Sequence, residues 1–421
     1  MYQISNTGEL LKARKKLVSR RRLGSPVSGT VVFLGLTSLF TDISSEMVAA
    51  ILPLYLVYSV GLTPLQFGVV DGMYQGAAAL VRLASGVVAD RWRRHKEVAA
   101  LGYGLSAICK LGILAVGSAW TGLLGIILVD RTGKGIRTAP RDALISLSSP
   151  RNELATAFGV HRALDTTGAM LGPLVAFSIL TLAPRAFDAV FVVSFFLALI
   201  GLAILLLFVR NPPAPPAQAA AAPAVSLRAV TSLLGARGFR LLVLVGAALG
   251  LVTISDGFVY LRLQQQLDFN GSYLPLLFVG TALVYMLLAV PVGRLADRVG
   301  RGRVFVGGYG LLLLVYVSLL LPALGPIALA LSLPLLGAYY AATDGVLMAL
   351  ASALLPAELR GSGLALLVTA TSVARLLASI LFGAIWTEVG VQVAVAAFAA
   401  GLMAALSIAA VVLVRTKEIH G

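Results

Sequence analysis

Twelve long apolar stretches, separated by short polar loops, run through this chain. A helix needs roughly 20 apolar residues to cross the hydrocarbon core of a bilayer. Lipid offers the backbone no hydrogen-bond partner, so a stretch that spans it must bond internally as a helix. We therefore predict an all-α membrane protein with twelve spans, at residues 30–57, 65–89, 98–117, 121–147, 155–182, 187–209, 240–264, 273–292, 304–322, 326–350, 361–386 and 391–414.

The scarcity of charge supports lipid as the main solvent. Charged residues make up 12% of the 421 residues and hydrophobic residues 59%, whereas a soluble domain carries about 25% charged residues. The net charge of +15 lies between the apolar stretches and not along one soluble face, so it does not indicate a nucleic-acid partner. The single cysteine, Cys109, excludes a disulfide framework and a multi-thiolate metal site.

Basic residues concentrate in alternate loops and so predict the orientation. Short cytoplasmic loops of membrane proteins are enriched in lysine and arginine. The loops on one side hold Arg91, Arg93, Arg94, Lys96, Arg151, Arg298, Arg301, Arg303 and Arg360, and the C-terminal tail adds Arg415 and Lys417. The other loops hold almost none, with Arg185 as the exception. We expect both termini in the cytoplasm.

A proline-rich segment divides the chain into two halves. It begins at Asn211 and reads NPPAPPAQAAAAPAV, and proline both removes backbone donors and breaks helices. The predicted organisation is a basic N-terminal arm at 1–27, a six-helix bundle at 28–210, a linker at 211–237, a second six-helix bundle at 238–414 and a tail at 415–421.

Two similar loops occupy matching positions in the two halves. One reads GVVADRWRRHK and contains Gly86, Asp90 and Arg91; the other reads GRLADRVGRGR and contains Gly293, Asp297, Arg298 and Arg301. An aspartate beside arginines at a helix end can latch two helices in one conformation and release them in another. The alternative is that these are ordinary loop charges with solvated partners.

These loops resemble the G-x-x-x-D-R-x-G-R-R signature of the major facilitator superfamily. Arg131-Thr-Gly-Lys134-Gly135 is similar to the R-x-x-x-G of that family's fourth helix. Gly159, Gly168, Gly172 and Pro173 fit G-x8-G-x3-G-P, which resembles the signature of drug:proton antiporters. The resemblance covers about residues 28–414, and the run DRTGKGIRTAPRDAL resembles a bacterial branch of the superfamily, which implies a bacterial inner-membrane protein. It implies two bundles with a central cavity lined by the first and fourth helix of each half.

Ionisable residues within the spans are the candidate functional residues, because each costs a few kcal/mol to insert into a membrane. The proton-coupling candidates are Asp42, Glu46 and Asp256, and the substrate-cavity candidates are Arg131, Lys134, Arg137, Asp165, Arg262, Tyr340, Asp344 and Arg375. Burial favours the neutral form of a carboxyl group, so such a group can bind and release protons near neutral pH.

Depth along the helices suggests two pairs, Asp42 with Arg131 and Arg137 with Asp165. The alternative for any one pair is that the charges only neutralise each other and hold the helices in register. His161 could satisfy a local hydrogen bond or relay protons. The basic residues of span 4 suggest an anionic or zwitterionic substrate, although the acidic residues permit a cation.

The resemblance implies a secondary active transporter. We expect proton-coupled export of a small organic compound, with a proton-coupled importer of an organic acid or siderophore-like solute as the alternative. We expect no cofactor, no metal and no nucleic-acid partner; the expected partners are a small-molecule substrate, protons and the lipid bilayer, and the protein is expected to be a monomer. A membrane enzyme lacks support, since no catalytic constellation or nucleotide-binding P-loop is present. A non-transporting sensor would tolerate neutral substitutions of the cavity charges.

Overall fold

The computed structural model describes residues 28–92, 94–149, 154–211, 233–356 and 359–415. The predicted arm at 1–27, residues 416–421 of the predicted tail and residues 212–232 of the predicted linker lie outside this described part. The side chains of Asp90 and Arg91 in the first loop motif also lie outside it.

The described chain is helical and contains no strand. We number the helices α1 (Gly29–Leu54), α2 (Pro64–Trp92), α3 (His95–Val116), α4 (Trp120–Leu147), α5 (Leu154–Leu182), α6 (Phe187–Phe208), α7a (Arg237–Leu251), α7b (Asp256–Leu267), α8 (Leu274–Val299), α9 (Arg301–Leu320), α10 (Pro326–Leu354), α11 (Arg360–Val389) and α12 (Val391–Ala410). One turn of π-helix extends α1 over Tyr55–Ser59, and another extends α12 over Val411–Arg415.

The twelve predicted spans are confirmed, with α7a and α7b together forming the seventh. Over the described residues, ten spans are apolar and long enough to cross a membrane by composition alone. The helix α4 is not among the ten, because it carries Asp130, Arg131, Lys134, Arg137, Arg141 and Asp142. Several helices extend past their predicted ends; α8 continues to Val299, through the polar residues that suggested a loop.

The seventh span, predicted at 240–264, is built from two helices. The helix stops at Leu251 and restarts at Asp256. A break at membrane depth needs partners for the freed backbone groups. Tyr316 of α9 supplies them: its hydroxyl accepts a hydrogen bond from the Ile254 N–H at 2.7 Å and donates one to the Val252 carbonyl at 3.1 Å. The break places Asp256 at the first position of a new helix.

The helices pack as two six-helix bundles. In the first, α1 lies against α5 and α6, while α4 packs on α2 and α3. In the second, α10 lies against α8 and α9, while α11 packs on α7a and α12. The bundles meet along α2 with α11 and along α5 with α8.

Both bundles contact each other at the end away from the basic loops, which we call the opposite end. Tyr58 donates a hydrogen bond to Gln264 there, and the Leu65 N–H donates to Thr387 Oγ1 at 2.9 Å. Deeper in the same seam, the rings of Phe67 and Phe258 lie edge to face with centroids 4.7 Å apart. These contacts close the seam between the bundles, while Tyr58 and Gln264 also line a cavity of about 910 Å³ at this end.

Glycines allow α5 to approach α1 closely. A Cβ built on Gly172 would lie 2.7 Å from the Ile43 carbonyl oxygen and 2.9 Å from the Met47 nitrogen. Gly168 similarly contacts the backbone of α1 at Leu39. At Gly159, by contrast, an added Cβ would meet no described atom within 4 Å. Two of the three glycines of the motif therefore form the α1–α5 contact.

We predict opposite effects from two alanine substitutions in α5. Gly172→Ala should cost about 1–3 kcal/mol, because the new methyl group meets rigid backbone. Gly159→Ala should be neutral or stabilising by about 0.5–1 kcal/mol, because alanine loses less conformational entropy in a helix. Thermal unfolding of the purified protein in detergent, followed by tryptophan fluorescence, measures both. Equal midpoints for the two variants would contradict the close α1–α5 packing.

Candidate functional site

Two adjoining cavities lie between the bundles. Their volumes are about 220 Å³ and 250 Å³, and both are lined by Glu46, Asp256, Phe278 and Tyr340. The first is also lined by Asp344, Tyr260 and Tyr285; the second is also lined by Asp71, Tyr74 and Arg375. Carboxylates from both bundles thus face one shared space with several aromatic rings.

The fold brings these side chains together from separate helices. Glu46 lies on α1, and Asp256 begins α7b directly after the helix break. Tyr340 and Asp344 are four residues apart on α10, so they share one face. The Tyr340 hydroxyl donates a hydrogen bond to Asp256 Oδ1 at 2.7 Å, and this contact links α10 to α7b.

Arg375 of α11 is a basic residue of the second cavity. Its Nη2 lies 3.5 Å from the hydroxyl oxygen of Tyr339. It also interacts electrostatically with Asp344 and Asp256. The guanidinium therefore offsets part of the negative charge that the second bundle contributes.

The charges in the middle of α4 form a cluster inside the first bundle. Lys110 of α3 lies 2.6 Å from Asp130, and Arg131 also forms an ion pair with Asp130. Ser106 donates a further hydrogen bond to Asp130, and the Arg131 guanidinium carbon lies 3.8 Å from the centroid of the Tyr74 ring. All three charged groups are buried.

The predicted pair of Asp42 with Arg131 is therefore wrong, because Asp130 and Tyr74 engage Arg131. Asp42 lies instead 3.8 Å from Arg137, which stands one to two turns closer than Arg131 to the basic loops. The depth of a residue along its helix could not predict this pairing, because depth does not say how each helix is rotated about its axis.

The predicted pair of Arg137 with Asp165 is also wrong. Asp165 contacts Arg141 at 3.8 Å and Arg162 at 3.2 Å. Arg137 packs with its guanidinium carbon 4.6 Å from the Tyr103 ring centroid. Lys134, which lies between Arg131 and Arg137 on α4, interacts electrostatically with Glu46 and Asp42. Arg131 of the same helix also interacts electrostatically with Glu46.

Two more candidate residues, His161 and Arg262, lie outside the lining of the two cavities. His161 Nε2 and the Ser38 hydroxyl are joined by a buried hydrogen bond of 2.8 Å between α5 and α1. Arg262 is half-buried in α7b and does not line either cavity.

Comparison with known proteins places this architecture in a family. The model of the Major Facilitator Superfamily matches residues 34–279 and 257–420. The chain belongs to the major facilitator superfamily.

Related proteins agree with this assignment. An uncharacterised MFS-type transporter of Methanocaldococcus jannaschii is 31% identical over 388 residues, which cover 89% of this chain and 92% of the relative. The crystal structure of a mutant of the nucleoside transporter NupG superposes with a TM-score of 0.78 at 16% identity, covering 91% of this chain and 100% of that one. A POT family transporter in complex with 5-aminolevulinic acid gives 0.76 at 14% identity, covering 94% and 97%.

The protein is a multi-pass membrane transporter of the superfamily and not an enzyme. In the loop motif of its second bundle, Arg301 forms an ion pair with Asp297 at 2.9 Å and donates to the Ala349 carbonyl of α10 at 3.4 Å. Asp297 is 64% exposed, Arg298 is exposed, and Gly293 has no described neighbour that would contact an added Cβ. This MFS motif thus ties the end of α8 to α10; the latch role stays a prediction.

Sequence reasoning missed Asp71, Tyr74 and Lys110. Each had a usable signal, because a charged residue or a tyrosine stood inside an apolar span. Asp71 and Tyr74 lie one turn apart on α2, in a helix that was not expected to line the cavity. Lys110 neutralises Asp130 from α3, which the family resemblance does not place at the cavity either.

We predict that Asp130→Asn destabilises this transporter strongly. Removing the shared carboxylate leaves the buried cations of Lys110 and Arg131 without their counter-charge and costs about 3–5 kcal/mol. Arg301→Met breaks the exposed pair with Asp297 and should cost less than about 1 kcal/mol. Thermal midpoints of the two purified variants provide the comparison; similar losses would argue against a dry Lys110–Asp130–Arg131 cluster.

Proposed function

We propose that this transporter couples the inward flow of protons to the export of a small organic compound that carries a positive charge. The observation that carries the proposal is the lining of the two cavities. Glu46, Asp71, Asp256 and Asp344 face this space, whereas Arg375 is the basic residue among their lining side chains. A cation fits such a lining, and aromatic rings beside it favour an organic cation.

The basic side chains of α4 led the sequence analysis toward an anionic substrate. Their contacts weaken that interpretation. Arg131, Arg137 and Arg141 each have a carboxylate partner within the first bundle. A guanidinium that is already paired has less to offer a substrate anion.

Glu46 is the proposed carrier of the coupling proton, with Asp256 as its counterpart in the second bundle. A carboxyl group that faces a cavity within the membrane is costly to place there, which makes it a candidate for a functional role. Tyr340 stabilises one oxygen of Asp256 by its hydrogen bond, whereas Glu46 interacts electrostatically with Lys134 of α4. The two carboxyl groups therefore differ in surroundings and can act in sequence.

Export is favoured over import by the position of the glycine motif. A Cβ on Gly172 would lie 2.8 Å from the Glu46 Cβ, so the G-x8-G-x3-G-P segment packs directly behind the proposed proton carrier. That segment resembles the antiporter signature. A symporter that imports an organic acid is the alternative, and the direction of flux separates the two.

Alternating access explains the shape of the seam. The opposite end is closed by contacts between the bundles. Toward the basic loops, Asp344 is exposed and the Arg162 side chain is 76% exposed. We infer a state open to the basic-loop side, which the positive-inside rule assigns to the cytoplasm of a bacterial inner membrane.

The test uses purified protein in liposomes that contain a trapped pH dye, with the membrane potential clamped. The cation probe is 1-methyl-4-phenylpyridinium and the anion probe is p-aminohippurate. We expect the cation, and not the anion, to drive proton movement in the opposite direction. Glu46→Gln should reduce this movement to the level of protein-free liposomes, because the amide cannot carry a proton.

The matched control is Asp188→Asn, which neutralises an exposed carboxylate in the first turn of α6 that lines neither of the two cavities. It should leave proton coupling within about twofold of the unaltered protein, since exposed charges contribute little. Full coupling in Glu46→Gln would overturn the role of Glu46. Proton movement with p-aminohippurate but not with the cation would overturn the proposed substrate charge.

A further inference from the structure

Asp71 occupies a distinct position at the boundary between the cavity and the closed opposite end. It lines the second cavity. Its Oδ2 also accepts a hydrogen bond from the Ser379 hydroxyl of α11 at 2.6 Å and one from Gln75 Nε2 at 2.8 Å. One carboxylate therefore touches the cavity and links α2 of the first bundle to α11 of the second.

The seam beside Asp71 is packed backbone to backbone. A Cβ on Gly72 would lie 2.7 Å from the Leu376 carbonyl oxygen, and Gly68 and Gly383 approach the facing helix similarly. Because α2 and α11 belong to different bundles, this seam must part before the cavity can open to the opposite end. The hydrogen bond from Ser379 to Asp71 must break at that moment.

The start of α7b also approaches the same carboxylate. A Cβ on Gly257, its second residue, would lie 3.5 Å from Asp71 Oδ1. The N-terminal end of a helix carries partial positive charge and stabilises a nearby anion. The closed seam thus surrounds the ionised form of Asp71 with two hydrogen-bond donors and a helix terminus.

We propose that Asp71 is a second proton-binding residue of the transport cycle and that its ionised form holds the α2–α11 seam closed. This rests on the proposed function for the identity of the ions. The seam opens when Asp71 becomes neutral, by binding a proton, or when a substrate cation in the cavity offsets its charge. The protein then opens only when loaded, and this prevents an empty, uncoupled transition.

The strength of the lock follows from its chemistry. Hydrogen bonds to a charged acceptor are roughly twice as strong as those between neutral groups. Protonation turns Asp71 into a neutral acceptor and removes this advantage. The ionisable groups that share the cavity with Asp71 are Glu46 on α1, Tyr74 on α2, Asp256 on α7b, Tyr340 on α10 and Arg375 on α11.

Distances between spin labels at the opposite end test the proposal without substrate or gradient. Labels are attached through Thr63→Cys and Val389→Cys, both exposed at the ends of α2 and α11, in a Cys109→Ala background. Pulsed electron resonance in nanodiscs gives the populations of short and long distances at pH 5 and pH 8.5. For the otherwise unaltered protein, we expect the ratio of closed to open seam to rise about tenfold at the higher pH, the size of one charge-assisted hydrogen bond.

Asp71→Asn should behave at both pH values like the unaltered protein at pH 5, because the amide is always neutral. Ser379→Ala should lower the closed population at pH 8.5 only. Asp188→Asn, on α6 and outside the α2–α11 seam, should keep the full pH response. The proposal is overturned if Asp71→Asn retains the pH response, or if it lowers the closed population equally at both pH values, as a packing defect would.

These outcomes are separate from those of the transport experiment. A pH-dependent seam that is lost in Asp71→Asn would stand even if proton-coupled flux depended on another carboxylate. Conversely, proton flux that depends on Glu46 with a seam indifferent to Asp71 would leave the proposed function intact and exclude the lock.

Discussion

The cost of placing charge in a membrane governs the arrangement of this protein. Ionisable side chains within the spans must find a counter-charge, a hydrogen-bond donor or a wet cavity. The Lys110–Asp130–Arg131 cluster satisfies this requirement by pairing in a buried site. Glu46 and Asp256 satisfy it differently, because they face a cavity between the bundles. The paired charges stabilise the first bundle, whereas the less completely paired carboxyl groups of Glu46 and Asp256 line the candidate site.

The backbone at the break in the seventh span must also find hydrogen-bond partners within the membrane. Residues 252–255 leave the helix, and Tyr316 satisfies the groups that this exposes. Asp256 then begins α7b, where the terminus of a short helix enters the space between the bundles. A continuous helix would carry no such terminus at this depth. Discontinuous helices at the midplane are a recurrent way to build binding sites in transporters.

The contact between α2 and α11 combines close backbone packing with a titratable side chain. Glycines permit the two helices to touch along their backbones, and Asp71 with Ser379 adds a polar link in the same seam. The protein therefore places a titratable group where the bundles must separate. Packing alone would close the seam irrespective of the contents of the cavity, whereas a carboxylate makes closure sensitive to charge.

The sequence by itself determined the number of spans, the two bundles and the family, because apolar length and the repeated loop motif are local properties of the chain. It also marked Glu46 and Asp256 as candidate functional residues, since a carboxylate in an apolar span is conspicuous. Only the tertiary structure decided which charges pair and which face the cavity. Arg131 met Asp130 and not Asp42 because the rotation of each helix about its axis depends on contacts with neighbours distant in sequence. Asp71 gained its position for the same reason: its partner Ser379 lies on a helix of the other bundle.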